Sequence, residues 1–108
     1  MESPKFRVWW IPQIPMEPFY VPVRSLREAK LILNTLAEYD LFQLEKKVKP
    51  DYCNTGGLEV FDSADTTDGP NGSWVDWGTD DGDGIDDLTD EEVGKRDLKL
   101  AIARLAST

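Results

Sequence analysis

Apolar and polar positions alternate at the start of the chain. In KFRVWWI, Lys5 to Ile11, β-branched and aromatic residues predict a strand. Phe6, Val8 and Trp10 then share one face, and Arg7, Trp9 and Ile11 the other. Pro12, Pro15 and Pro18 forbid regular pairing through the next segment. Phe19 to Val23 predicts a second strand, placed at a sheet edge because Pro22 donates no ladder bond. The period then changes. Leu26, Ala29, Leu33, Leu36 and Ala37 recur at helical spacing behind the capping box Ser25-Leu26-Arg27-Glu28. A helix is expected over about 26–39, ended by Tyr39-Asp40; Leu41, Leu44 and Val48 are spaced to add a turn or two before Pro50. Alternation returns at Gly57–Phe61, with Leu58 and Val60 on one face, and at Ser73–Trp77, separated by the turn-rich DSADTTDGPNG. Thr89-Asp90-Glu91-Glu92 forms a second capping box, and Val93, Leu98, Ala101, Ile102 and Leu105 predict one apolar face of a final helix. The expected fold is α+β, a small antiparallel sheet of four strands in the order β-β-α-β-β-α, with one helix packed on a face and another at the C-terminus. The expected organisation is a core over 1–77, an acidic loop over 78–88 and a C-terminal helix over 89–108.

Charge divides the chain unevenly. The net charge is −9 over 108 residues. Residues 1–75 hold 8 Lys and Arg against 11 Asp and Glu, a balance of −3, and residues 76–108 hold 4 against 10, a balance of −6. A protein that coats duplex nucleic acid needs a basic face, so that class is not expected. A cationic partner, a metal or simple solubility suits the acidic segment better. No apolar run approaches the ~20 residues of a membrane span, and the start MESPKFRVWW lacks the pattern of a signal peptide. Cys53 is the single cysteine and has no partner for an internal disulfide.

Catalytic chemistry finds few residues. The chain has no histidine, which removes the usual general base near neutrality and the commonest zinc ligand. Lys46, Lys47 and Lys49 lie near Cys53 in sequence, yet a thiol nucleophile also needs an oriented base. No nucleophile elbow, phosphate-binding loop or dinucleotide fingerprint is present. The protein is therefore not expected to be an enzyme, and no cofactor is expected. Calcium is the alternative. TDDGDGIDDLTD resembles an EF-hand loop with Gly84 in the glycine slot and Asp81 and Asp83 ahead of it. Thr79 stands in the first slot, Ile85 comes one place early, and the closing acid is Asp90 instead of Glu. Asp81, Asp83 and Asp87 would hold the ion; the competing reading is a solvated acidic linker.

The aromatic residues suggest binding. Adjacent Trp9 and Trp10 must face opposite sides of a strand, and the same alternation separates Trp74 from Trp77. Some tryptophans then lie on the face that the first helix leaves open, covered by the second helix or a partner, or used as a ligand surface with Arg7, Arg24 or Arg27 nearby. The loop KPDYCNTGG combines Tyr52, Asn54 and the pair Gly56-Gly57, which with Pro50 are expected to set an unusual backbone path. Asn54 either caps this loop or joins Tyr52 and Gln13 of the Pro-rich loop in a binding region at one end of the sheet.

The segments FRVWWIPQIP, PFYVPV, LAEYDLFQLEKKVKPDYCNTGGLEVF and SWVDW resemble a family of small phage proteins similar to superinfection exclusion gene product 17. The resemblance covers about residues 5–77. It rests on Trp9-Trp10-Ile11-Pro12-Gln13, Lys49-Pro50-Asp51-Tyr52 and Asn54 with Gly56-Gly57. It brings no catalytic residues, and it leaves the chain from Gly78 onward unmatched. It implies a phage accessory protein of the host cytoplasm that counters or modulates host defence, or superinfection, by stoichiometric binding. The expected partner is a defence protein or a signalling nucleotide, with a homo-oligomer as one form; the alternative is a calcium-binding or acidic protein-interaction module. The expected binding residues are Trp9, Gln13, Tyr52, Asn54, Trp74, Trp77, Asp81, Asp83 and Asp87.

Overall fold

The computed structural model describes residues 5–46 and 54–106. Strand β1 (Phe6–Ile11) pairs antiparallel with β2 (Phe19–Val23) on one side and with β3 (Thr55–Asp62) on the other. Strand β4 (Ser73–Asp76) pairs with β3, so the spatial order is β2-β1-β3-β4. Two hairpins are thus joined edge to edge through β1 and β3, and Pro22 lies on an edge strand as its missing N–H requires. Helices α1 (Leu26–Glu45) and α2 (Asp90–Ala106) complete the α+β fold.

One face of the sheet makes the core. Phe6, Val8, Trp10 and Leu58 point at Leu26, Ala29 and Leu33 of α1. Ile85, Leu88 and Val93 join the same cluster, so the acidic segment delivers apolar side chains into the core. Ile85 sits in a single 3-10 turn, Ile85–Asp87, where Gly84 N–H donates to Asp87 Oδ2 at 2.9 Å.

Several expected boundaries move. Helix α1 does not stop at Tyr39-Asp40 but continues to Glu45. Asp40 is 3% exposed, and its Oδ2 accepts from the Trp10 indole at 3.1 Å and from Asn54 Nδ2 at 2.9 Å. A residue that reads as a helix breaker is thus held inside the helix by two donors from the sheet side. Strand β3 begins at Thr55 instead of Gly57, and β4 ends at Asp76, with Trp77 beyond it donating its N–H to Leu58 O at 2.9 Å.

The pair Gly56-Gly57 does not set an irregular path. Both are ladder residues, Gly57 opposite Trp9 and Gly56 opposite Trp10. A Cβ on Gly57 would lie 2.7 Å from Trp9 Nε1, and one on Gly56 2.7 Å from Trp10 Cζ3. Each glycine is the seat of one tryptophan, on opposite faces of the sheet.

The helix ends are tied across the chain. Ser25 Oγ accepts from Glu28 N–H at 3.0 Å, but Glu28 does not complete the box; its Oε2 lies 3.8 Å from Arg24. The carboxylate of Asp97 instead accepts from Leu26 N–H at 2.8 Å and Arg27 N–H at 3.0 Å. This caps α1 from α2 and places a negative charge at the positive end of its dipole. The box at α2 is complete: Glu92 N–H donates to Thr89 Oγ1 at 3.2 Å, and Thr89 N–H to Glu92 Oε1 at 3.1 Å.

The expected inward face of α2 is corrected. Val93 is buried, but Leu98 and Ile102 are 61% and 56% exposed. The inward stripe is Val93, Asp97 and Leu100, spaced i, i+4, i+7. A carboxylate occupies its middle position, so an apolar count selects the wrong side.

Candidate functional site: the open face of the sheet

The face away from the helices is built by simple alternation. Arg7 and Trp9 of β1 stand opposite Glu59 and Gly57 of β3, and Trp9 stands opposite Tyr20 of β2. Phe61 stands opposite Trp74 across β3 and β4. The Arg7 guanidinium carbon lies 3.8 Å from the Tyr20 ring centroid and 4.3 Å from that of Trp74. Its Nε donates to Glu59 Oε1 at 2.7 Å. Arg7 is therefore pinned between two rings and neutralised from β3. Such cation–π contacts contribute about 0.5–1 kcal/mol each at exposed sites. Phe61 and Trp74 pack edge to face with centroids 5.4 Å apart. The result is a pre-ordered aromatic surface around one ion pair, with Tyr20 46% exposed.

At one end of this face, Trp9, Gly57, Asp76, Trp77, Asp86 and Asp87 border a notch of about 370 Å³. The mixture of indole rings and carboxylates suits a cationic group.

The residues singled out in the sequence fall into separate places. Trp9 and Trp74 share the open face. Trp77 lies past the end of β4, where it borders the notch and also a cleft on the helix side. Pairing of Ile11 with Thr55 puts Gln13 and Asn54 at the same end of the sheet. Asn54 spends its amide on Asp40, in the interior. Tyr52 and Cys53 lie outside the described residues. Asp81 and Asp83 are exposed on the acidic loop, and neither lines the notch beside Trp9. That loop is closed by hydrogen bonds within it: Asp83 N–H donates to Thr79 Oγ1 at 3.0 Å, Gly82 N–H to Thr79 O at 2.9 Å, and Gly82 adopts a φ of 89°. Among the described residues, no three Asp, Glu, Cys or His side chains are grouped to hold a metal ion. No described helix is long and apolar enough to cross a membrane.

Two carboxylates are displaced from their ordinary range. The Thr67 hydroxyl and amide beside Asp65 hold its carboxyl low, and the Thr89 amide and hydroxyl do so for Glu92, helped by Arg96 and Lys95. Asp65 caps a turn beyond β3 and Glu92 the start of α2.

The sequence reading missed Arg7 with Glu59, Tyr20 and Phe61 as one assembly. The available signal was the spacing of Arg7 two residues before Trp9, which puts them on the same side of β1.

Residues 5–95 match the family described as Superinfection exclusion gene product 17. The superinfection exclusion protein of Salmonella phage P22 is 45% identical over 78 residues, covering 68% of this chain and 76% of that protein. No solved structure matches the chain. The matched region passes beyond Trp77 through the acidic segment and the Thr89 cap, so that segment belongs to the shared architecture and is not peculiar to this chain. With the family matched over most of its length and a phage protein 45% identical to it, this chain belongs to the superinfection exclusion gene product 17 family.

Proposed function

We propose that the protein acts in superinfection exclusion by binding a host defence protein stoichiometrically in the host cytoplasm, through the open face of its sheet and without chemical turnover. The observation that carries this reading is the Arg7 assembly. A cation fixed between Tyr20 and Trp74 and paired to Glu59 presents aromatic surface at little cost in side-chain entropy. Tyr, Trp and Arg are the residues that most often anchor protein interfaces. A protein partner suits this face better than a nucleotide, because Glu59 already occupies the guanidinium that a phosphate would need. The histidine-free composition supports binding over catalysis.

Site-specific photocrosslinking in infected cells tests the reading. A photoreactive phenylalanine at Tyr20 or Trp74 should give one discrete adduct with the mass of one partner per chain. The same group at Leu31, on the outer side of α1, should give none. Adducts from Leu31 alone, or no adduct from either open-face position, would contradict it.

A further inference from the structure

On the helix side of the sheet, beside α2, a cleft of about 400 Å³ opens toward the core. Phe6, Leu26 and Val60 form its floor, and Trp77 and Leu100 its walls. Arg96 and Lys99 are the charged groups at its rim. Its size falls within the range of small-molecule sites, roughly 300–1,000 Å³.

Two features define what it would take. First, the rim is cationic in a segment whose balance is −6. Arg7, Arg24, Lys30 and Lys95 each face a carboxylate within 4.0 Å, whereas among the described residues neither Arg96 nor Lys99 does so. The Arg96 guanidinium carbon stands 6.0 Å from the Trp77 ring centroid, close enough to hold an anion carried by a group packed on the indole. Second, the floor and walls are apolar and include the edge of the core, which favours a flat or branched apolar body over a bare ion.

We propose that this cleft binds a small aromatic molecule bearing one anionic group, with the ring against Trp77, Val60 and Leu100 and the anion between Arg96 and Lys99. All three α2 residues lie beyond residue 95, where the family match ends, so family membership does not by itself assign this site. It lies across the sheet from the proposed partner surface and stands or falls separately from it.

The test uses the full chain and anilinonaphthalene sulfonate, an aromatic anion whose emission rises on burial, beside its uncharged counterpart phenylnaphthylamine. The anion should bind saturably at one site per chain. Arg96→Glu with Lys99→Glu should weaken it about tenfold or more while leaving the neutral dye unchanged. Leu100→Trp, which fills the cleft, should abolish both. A nucleoside monophosphate and an aryl carboxylate, run as competitors, separate the two sources of the anion. Displacement by either, without displacement by the uncharged nucleoside, supports the site and names its anion. Displacement by neither, or equal binding of the anion to wild type and the charge-reversed variant, overturns it. Arg96 and Lys99 are exposed, so their result holds even where Leu100→Trp fails to fold.

Discussion

Trp9 and Trp10 are neighbours in sequence and opposites in structure. Trp10 is 5% exposed, seated over Gly56 on the helix side, with its indole N–H on the buried Asp40 carboxylate. Trp9 is half-buried on the open side, seated over Gly57. The same pair of strands supplies both seats. On one side the ring is locked by core packing and a buried hydrogen bond; on the other it forms part of an aromatic surface that no described helix covers. Strand alternation alone thus sets the stabilising face apart from the face proposed to recognise a partner.

The separation can be broken by substitution. Trp10→Ala should cost about 3–5 kcal/mol in urea unfolding, since it leaves a cavity and removes a donor from Asp40. Trp9→Ala should cost about 1 kcal/mol and act instead on partner binding. Equal losses for the two would erase the distinction. The glycines sharpen it: Gly56→Ala should destabilise by about 1–3 kcal/mol by forcing Trp10 off its seat, whereas Gly57→Ala should shift Trp9 emission and weaken binding more than stability. Asp97→Ala removes the remote cap of α1 and should cost about 1–2 kcal/mol in the same unfolding experiment, with Asp97→Glu recovering little because the longer side chain misplaces the carboxylate. The smallest effect is electrostatic. Asp65 and Glu92 have folded-state pKa values below their unfolded ones, so their stabilisation is present above the usual carboxylate range and fades as pH falls through it. Glu92→Gln should lower stability slightly at neutral pH and converge with the wild type at acid pH, flattening that part of the acid-unfolding curve.

Much of the fold was legible because its signals are local. Alternation put Phe6, Val8 and Trp10 on one face, which proves to be the core, Pro22 marked the edge strand, and Ser25 and Thr89 marked the helix starts. The misses are long-range. Asp40 stays helical because Trp10 and Asn54 meet it from the sheet, and Asp97 faces inward because the amides of Leu26 and Arg27 need an acceptor. Neither carboxylate announces its partner in sequence. The site followed the same rule. Alternation put Trp9 and Trp10 on opposite sides and separated Trp74 from Trp77 without saying which lay on the open face, and the clamp of Arg7 between Tyr20 and Trp74 depends on a register across three pairings.

On the proposed reading, the open face recognises the partner while contributing little to stability. The most direct measurement pairs Tyr20→Asp with Trp74→Asp in one chain and scores it twice, by exclusion of a superinfecting phage and by the urea midpoint of the purified protein. Lost exclusion with a midpoint close to wild type is the predicted result. Full exclusion by a folded double variant would contradict it.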